Sequence, residues 1–257
     1  MSEPRRQKAA AREDAAASRR GARAAKAPPS TSEIEVIGSE TTIPVNVTGD
    51  VGFILAAAPR LAKLSAMVTV SFGLGEGANR ALKHAAQNDQ TARERGDDWQ
   101  QAVLGYQDGT LMMAVVRVAL LLDSDPKCVS FQTVYHRLKR KEVQDALIER
   151  VFGEDESIEE LLGRGPQSII ADFLSHYASI DWSIHGRLTH FRNLGIAHLS
   201  TEPLGKSITF DELKFMANIV SKLGDELVAL CRTSFVSIEP MLSDWSDRGF
   251  SILKVKD

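Results

Sequence analysis

The chain has 257 residues, of which 43% are hydrophobic and 25% charged, the balance of an ordinary globular protein of one or two domains. Its two cysteines, Cys128 and Cys231, stand about a hundred positions apart and offer neither a disulfide framework nor zinc spacing, so a reducing, cytoplasmic setting is expected. The formal charge of -3 hides a division: residues 1–27 carry eight basic and three acidic groups, leaving 23 basic and 31 acidic groups for the remainder. A basic arm on an acidic body can help gather a polyanion, but the body is not built to coat DNA.

No run of eighteen apolar residues occurs. The most apolar stretch, Ala114 to Leu122, is short and contains Arg117, and the N-terminus lacks the apolar core of a secretory signal. Membrane spanning and secretion are therefore disfavoured, and no membrane partner is expected.

Residues 1–32 contain no Val, Ile, Leu, Phe, Trp or Tyr, cannot bury a core, and read as a disordered basic arm. From Glu33 to Val47 the residues Ile34, Val36, Ile43, Val45 and Val47 alternate with polar ones around Gly38 and Ser39, which predicts a short β-hairpin before a helical body. The apolar, alanine-rich stretch Val51 to Val70 then runs into Phe72-Gly73-Leu74-Gly75-Glu76-Gly77-Ala78-Asn79. A phosphate loop would use such glycines to bring backbone N–H groups to an anion. The Lys-Ser/Thr ending is missing and no βαβ alternation follows, so the glycines read as a flexible turn before a helix, with nucleotide binding as an outsider.

Beyond this point the periodicity is helical. Val103, Tyr106, Leu111, Val115, Val118 and Leu122 predict a long core helix ending at Asp123-Ser124-Asp125-Pro126. Ser130 is placed as the cap of the next helix. The basic run His136-Arg137-Leu138-Lys139-Arg140-Lys141 reads as a solvated face, with RNA-backbone contact as its functional alternative. Ser157 with Glu160, and Thr209 with Glu212, have capping-box spacing, and Pro166 opens a helix through Ile169, Ile170, Phe173, Leu174 and Tyr177. Leu213, Met216, Val220, Leu223, Leu227 and Leu230 form a further helical stripe. The fold class expected is all-α, a helical bundle.

Four of the six histidines, His176, His185, His190 and His198, crowd one region. Asp172 and His176 share a helix face, but no second pair has ligand spacing, so neither a metal nor a cofactor is expected. No nucleophile elbow is present. The informative stretch is His190-Phe191-Arg192-Asn193-Leu194-Gly195-Ile196-Ala197-His198, in which five residues separate Arg192 from His198. An Arg-Asn near a helix end followed by a histidine can also be a surface cap with a carbonyl-satisfying imidazole.

This stretch resembles the Arg-x4-6-His motif of HEPN domains. Together with Leu120-Leu121-Leu122-Asp123 and Val129-Ser130-Phe131 upstream, it is similar to the U-type abortive-infection branch of that superfamily over about residues 97–235. The resemblance implies a four- or five-helix domain and a two-fold dimer that joins two such motifs into one ribonuclease site. It assigns Arg192 and His198 to catalysis and Asn193 to the polar position after the arginine. His190 and Arg187 stand nearby as candidate phosphate contacts.

Such residues can cut RNA without metal. A base takes the 2′-hydroxyl proton, an acid protonates the leaving 5′-oxygen and a cation stabilises the phosphorane-like transition state. Histidine, with a reference pKa near ~6.5, exchanges protons around neutrality, and arginine stays charged. On an ideal helix, six residues leave Arg192 and His198 about 120° apart around the axis, so joint action on one phosphate needs a distortion near Gly195, the reach of the arginine, or a second subunit.

The division expected is a basic arm at 1–32, an N-terminal extension at 33–96, a HEPN-like helical domain at 97–235 and a C-terminal tail at 236–257. The function expected is a metal-independent endoribonuclease acting as a toxin or phage-defence effector. Its partners are RNA, a second copy of the chain, and an antitoxin or defence-system protein. The alternative is a noncatalytic helical module that binds a partner protein or a nucleotide through the same surface.

Overall fold

The computed structural model describes residues 46–87, 89–153, 163–193, 207–232, 238 and 240–253. Among them are eight helices and no β-strand: α1 (Val47–Gln87), α2 (Asp89–Leu121), α3 (Phe131–Leu138), α4 (Lys141–Val151), α5 (Pro166–Ala178), α6 (Trp182–Phe191), α7 (Phe210–Cys231) and α8 (Met241–Leu253). The chain is all-α over this range. The arm at 1–32, the hairpin residues Ile34, Val36, Ile43 and Val45, and the Ser157–Glu160 pair lie outside the described residues, whereas Val47 opens α1 instead of ending a strand.

The 41 residues of α1 form the spine of the bundle. Val51, Ile54, Ala58, Leu61, Ser65, Val68 and Phe72 are buried at alternating spacings of three and four, the period at which one helix face repeats. Pro59 removes one backbone donor inside α1 without ending it. By length and composition α1 could cross a membrane, more so than the Ala114–Leu122 stretch singled out in the sequence, and 44% of its most apolar window is buried inside the fold. It packs against α2, α7, α8, α4 and α3.

The glycine-rich segment is the main departure from expectation. Gly73, Gly75 and Gly77 belong to the interior of α1 and are neither a turn nor a phosphate loop. A Cβ on Gly73 would stand 2.8 Å from the Trp245 Cβ, and one on Gly77 would stand 2.5 Å from the Phe250 nitrogen and the Ser246 oxygen, both in α8. One on Gly75 would stand 2.7 Å from the Leu111 side chain of α2. These glycines are where neighbouring helices press against α1, and the close approach outweighs the poor helix propensity of glycine. The segment read as a C-terminal tail accordingly contains α8, whose Arg80–Asp247 ion pair (2.6 Å) reinforces the contact.

A second close crossing joins α1 to α7. Thr69 Oγ1 and Ser221 Oγ are 2.7 Å apart in the interior, so that one hydroxyl donates to the other, which in turn donates to the carbonyl four residues earlier on its own helix. Gly224 leaves room for Ser65, whose Cβ would lie 2.9 Å from a Cβ at that position. Hydroxyls are tolerated here because each of these two is hydrogen-bonded, which offsets the cost of burial.

The remaining helices begin and end where local chemistry directs. In α2 the chain breaks regular geometry at Gly96 (φ 68°), a left-handed conformation suited to glycine. The helix ends before Asp123, whose carboxylate accepts from the Asp125 N–H. Ser130 caps α3 through a capping box with Thr133, Pro166 occupies the first turn of α5, and Thr209 and Glu212 form the box that opens α7. The α7 stripe expected from the sequence is buried at all six positions. Phe131, Phe173, Leu138, Leu147, Ile169, Leu188 and Met216 complete the core that α3 to α7 build beside α1.

Candidate functional site

The basic run at 136–141 divides into two populations. Arg137 and Arg140 both pair with Asp50 at the start of α1, the former at 3.0 Å, and the Arg137 guanidinium covers the Phe53 ring at 3.9 Å. The reading of this run as a solvated face therefore fails for these two arginines, because both are held by one carboxylate some ninety residues away. His136, Lys139 and Lys141 stay exposed. Partial loss of solvent around the ring, with the charges of Lys139 and Arg137 behind it, pushes the His136 pKa down even though the residue is exposed.

Asp172 and His176 share one face of α5, as their spacing requires, and join a charge cluster with Arg164 and Glu226. Arg164 contacts Asp172 at 2.7 Å and Glu226 at 2.8 Å, and His176 Nδ1 is 3.7 Å from Glu226. Burial raises the Glu226 pKa against the opposing pull of Arg164. Among the described residues no three metal-ligating side chains converge. Cys231 is an unreactive thiol, its pKa pushed up to about 12 by burial.

Asp181 caps α6, accepting hydrogen bonds from the Ser183 and Ile184 N–H groups at 2.8 and 3.2 Å. The helix points Ile184 and Leu188 into the core, which leaves Trp182, His185, Thr189, Arg192 and Asn193 on its outer sides. Arg192 is the C-cap, its N–H bonding back to the Leu188 and Thr189 carbonyls, and at Arg192 and Asn193 the α-helical turn widens to a π turn. π turns recur at functional sites. The Arg192 Nε donates to the Asn193 Oδ1 at 3.0 Å.

Of the residues expected to act together, Arg192 and Asn193 are adjacent and accessible, and His198 lies outside the described residues along with Gly195. The histidine that α6 does bring near Arg192 is His185. Seven residues apart correspond to about two turns, so both fall on one face. Burial and then the Arg192 charge lower the His185 pKa, with Asp123 opposing. The i, i+7 spacing of His185 and Arg192 is legible in the sequence, where the Arg192–His198 pattern is the more conspicuous signal. Arg187 is occupied elsewhere, bonded to Glu212 at the start of α7, while His190 is exposed.

An aromatic row leads away from this site. His136 meets Tyr135 at 5.5 Å between centroids, Tyr135 stacks on Tyr177 at 4.0 Å and 15°, Tyr177 meets Trp182 at 5.6 Å, and Trp182 meets His185 at 5.4 Å. Helices α3, α5 and α6 each contribute to it, so it is a product of tertiary packing with no motif of its own. No protein-family model, curated protein or solved structure matches the chain.

Proposed function

We propose that the protein is a metal-independent endoribonuclease of HEPN type, a toxin or phage-defence effector acting as a homodimer, with Arg192, Asn193 and His198 as its catalytic set. The observation that carries this reading is the end of α6, where an accessible guanidinium is hydrogen-bonded to an amide at a widened turn, with the imidazole of His185 two turns back on the same face and within the field of that guanidinium. Arg192 is the group that would bind the non-bridging phosphate oxygens, bidentately where geometry allows. His198 would take the 2′-hydroxyl proton or return one to the leaving oxygen. The 2′-oxygen bonds to phosphorus as the bond from phosphorus to the 5′-oxygen breaks, leaving a 2′,3′-cyclic phosphate and a 5′-hydroxyl.

His185, held towards its neutral form within the field of Arg192, suits the role of a proton acceptor at neutral pH. Neutral imidazole accepts a proton; imidazolium does not. The rival reading, a noncatalytic helical module, draws on the Arg192–Asn193 hydrogen bond, which also suits a surface helix end.

The test is a chimeric oligonucleotide with one ribonucleotide in an otherwise 2′-deoxy strand. Cutting confined to the 3′ side of that ribonucleotide supports the mechanism. Equal cutting of the all-deoxy strand contradicts it, because DNA lacks the attacking hydroxyl.

A further inference from the structure

The row His136–Tyr135–Tyr177–Trp182–His185 differs along its length. Tyr177 is buried and spends one face on Tyr135, to which it is nearly parallel at 15°. Trp182 is 43% exposed, and its two ring neighbours meet it steeply, Tyr177 at 60° and His185 at 83°. Among the described residues no ring lies parallel to the indole. An exposed indole with no stacked neighbour is a surface on which a planar ring can lie.

Charge selects the kind of planar ring. At one end of the row His136 stands in the field of Lys139 and Arg137, and at the other His185 stands in the field of Arg192. Lys139 is exposed and Arg192 half-buried. Of the nearby carboxylates, Asp181 is turned into the first turn of α6, where Ser183 and Ile184 use it, and Asp123 is bonded to the Asp125 N–H. Cations at both ends of an aromatic row match a polyanion that also carries planar bases. Free nucleobases, with unstacked faces, exist in single strands; a duplex hides them.

We infer that Trp182 is a stacking platform for a nucleobase of single-stranded RNA, with Arg192 and Lys139 holding the backbone on either side. This deepens the ribonuclease reading and rests on it for the identity of the strand: with Trp182 and Arg192 at opposite ends of α6, about 15 Å apart along its axis, a base two or three nucleotides from the scissile phosphate at Arg192 would lie on Trp182. The platform binds any base, since every base has a π face, and specificity for position would come from the distance between Trp182 and Arg192.

The test uses full-length protein carrying Trp99→Phe and Trp245→Phe, so that Trp182 alone fluoresces, and an eight-nucleotide poly-U strand with 2′-fluoro sugars that cannot be cut by 2′-hydroxyl attack. Circular dichroism checks the fold of each variant. Titration is expected to quench the Trp182 emission, and in the otherwise wild-type chain Trp182→Ala is expected to weaken binding about tenfold or more while Trp182→Phe keeps most of it. The same strand paired into a duplex is expected to bind more weakly.

Absence of quenching, equal affinity of Trp182→Ala and wild type, or preference for the duplex would each overturn the platform. A protein ligand captured by the same face with no RNA affinity would also overturn it. The two readings fail separately: binding through Trp182 without any cleavage of natural RNA would remove the nuclease and keep the platform, and cleavage with a KM untouched by Trp182→Ala would do the reverse.

Discussion

Arg192 and His185 stand seven residues apart along α6 and its C-cap, and the guanidinium adds to burial in favouring the neutral imidazole. Removing the cation removes the second of those two influences. Arg192→Gln is therefore expected to raise the His185 pKa relative to wild type, as read by NMR titration of the ring protons. An unchanged titration would place the guanidinium away from His185 in solution.

The same depression links pH to stability. An unfolded histidine titrates near ~6.5, and the folded His185 binds its proton only at lower pH because burial opposes the charge. Above about 6.5 both states are neutral and the full stability is present. As the pH falls towards the lower folded value, the unfolded state gains protons first and stability declines. Chemical denaturation between pH 7 and pH 5 should show this fall, and His185→Gln should make it shallower. His136, also depressed, contributes in the same direction.

The glycines of α1 make a steric prediction. Gly77→Ala places a Cβ 2.5 Å from backbone atoms of α8, which cannot rotate away as a side-chain tip could. It should cost about 1–3 kcal/mol, the range for overpacking. Gly52→Ala in the same helix meets nothing within 4 Å and should be neutral or gain about 0.5–1 kcal/mol from helix propensity. Thermal or denaturant unfolding of the two variants gives the comparison, and a harmless Gly77→Ala would refute the packing of α8 on α1.

Asp50 ties the start of α1 to α3 and α4. Its side chain is 13% exposed, and those of Arg137 and Arg140 are 21% and 22% exposed. Asp50→Ala leaves two half-buried guanidinium groups without their carboxylate and should cost about 1–3 kcal/mol, below the full penalty for a deeply buried pair. Partial screening predicts that high salt recovers little of the loss. Lys141→Ala, which breaks an exposed pair with Asp145 (69% and 58% exposed), is the control expected to be nearly silent.

Local chemistry was readable in the sequence wherever partners are a few residues apart. Ser130, Pro166 and the Thr209–Glu212 box start helices because the caps they provide are set by spacing alone, and the α7 stripe follows from one face repeating every 3.6 residues. What escaped depends on distant chain. Gly73 and Gly77 look like a turn until α8, some 170 residues later, presses on them. Arg137 and Arg140 look solvated until Asp50 arrives, and the aromatic row exists only because α3, α5 and α6 meet. Val47 failed for a related reason: alternation over a few residues is a weak signal beside the long apolar face of α1 that begins there. At the candidate site the sequence singled out Arg192 and Asn193, and the fold adds His185 and Trp182.

The proposed ribonuclease stands or falls on Arg192 and His198. The direct measurement incubates purified wild type, Arg192→Ala and His198→Ala, each confirmed as folded by circular dichroism, with mixed RNA in EDTA, followed by analysis of fragment ends. Wild type is expected to give fragments with cyclic-phosphate and 5′-hydroxyl ends, at rates lowered on the order of 10²–10³-fold in the Arg192 variant and also greatly lowered in the His198 variant. Equal cleavage by all three proteins would contradict the proposal, since the activity would then belong to neither residue.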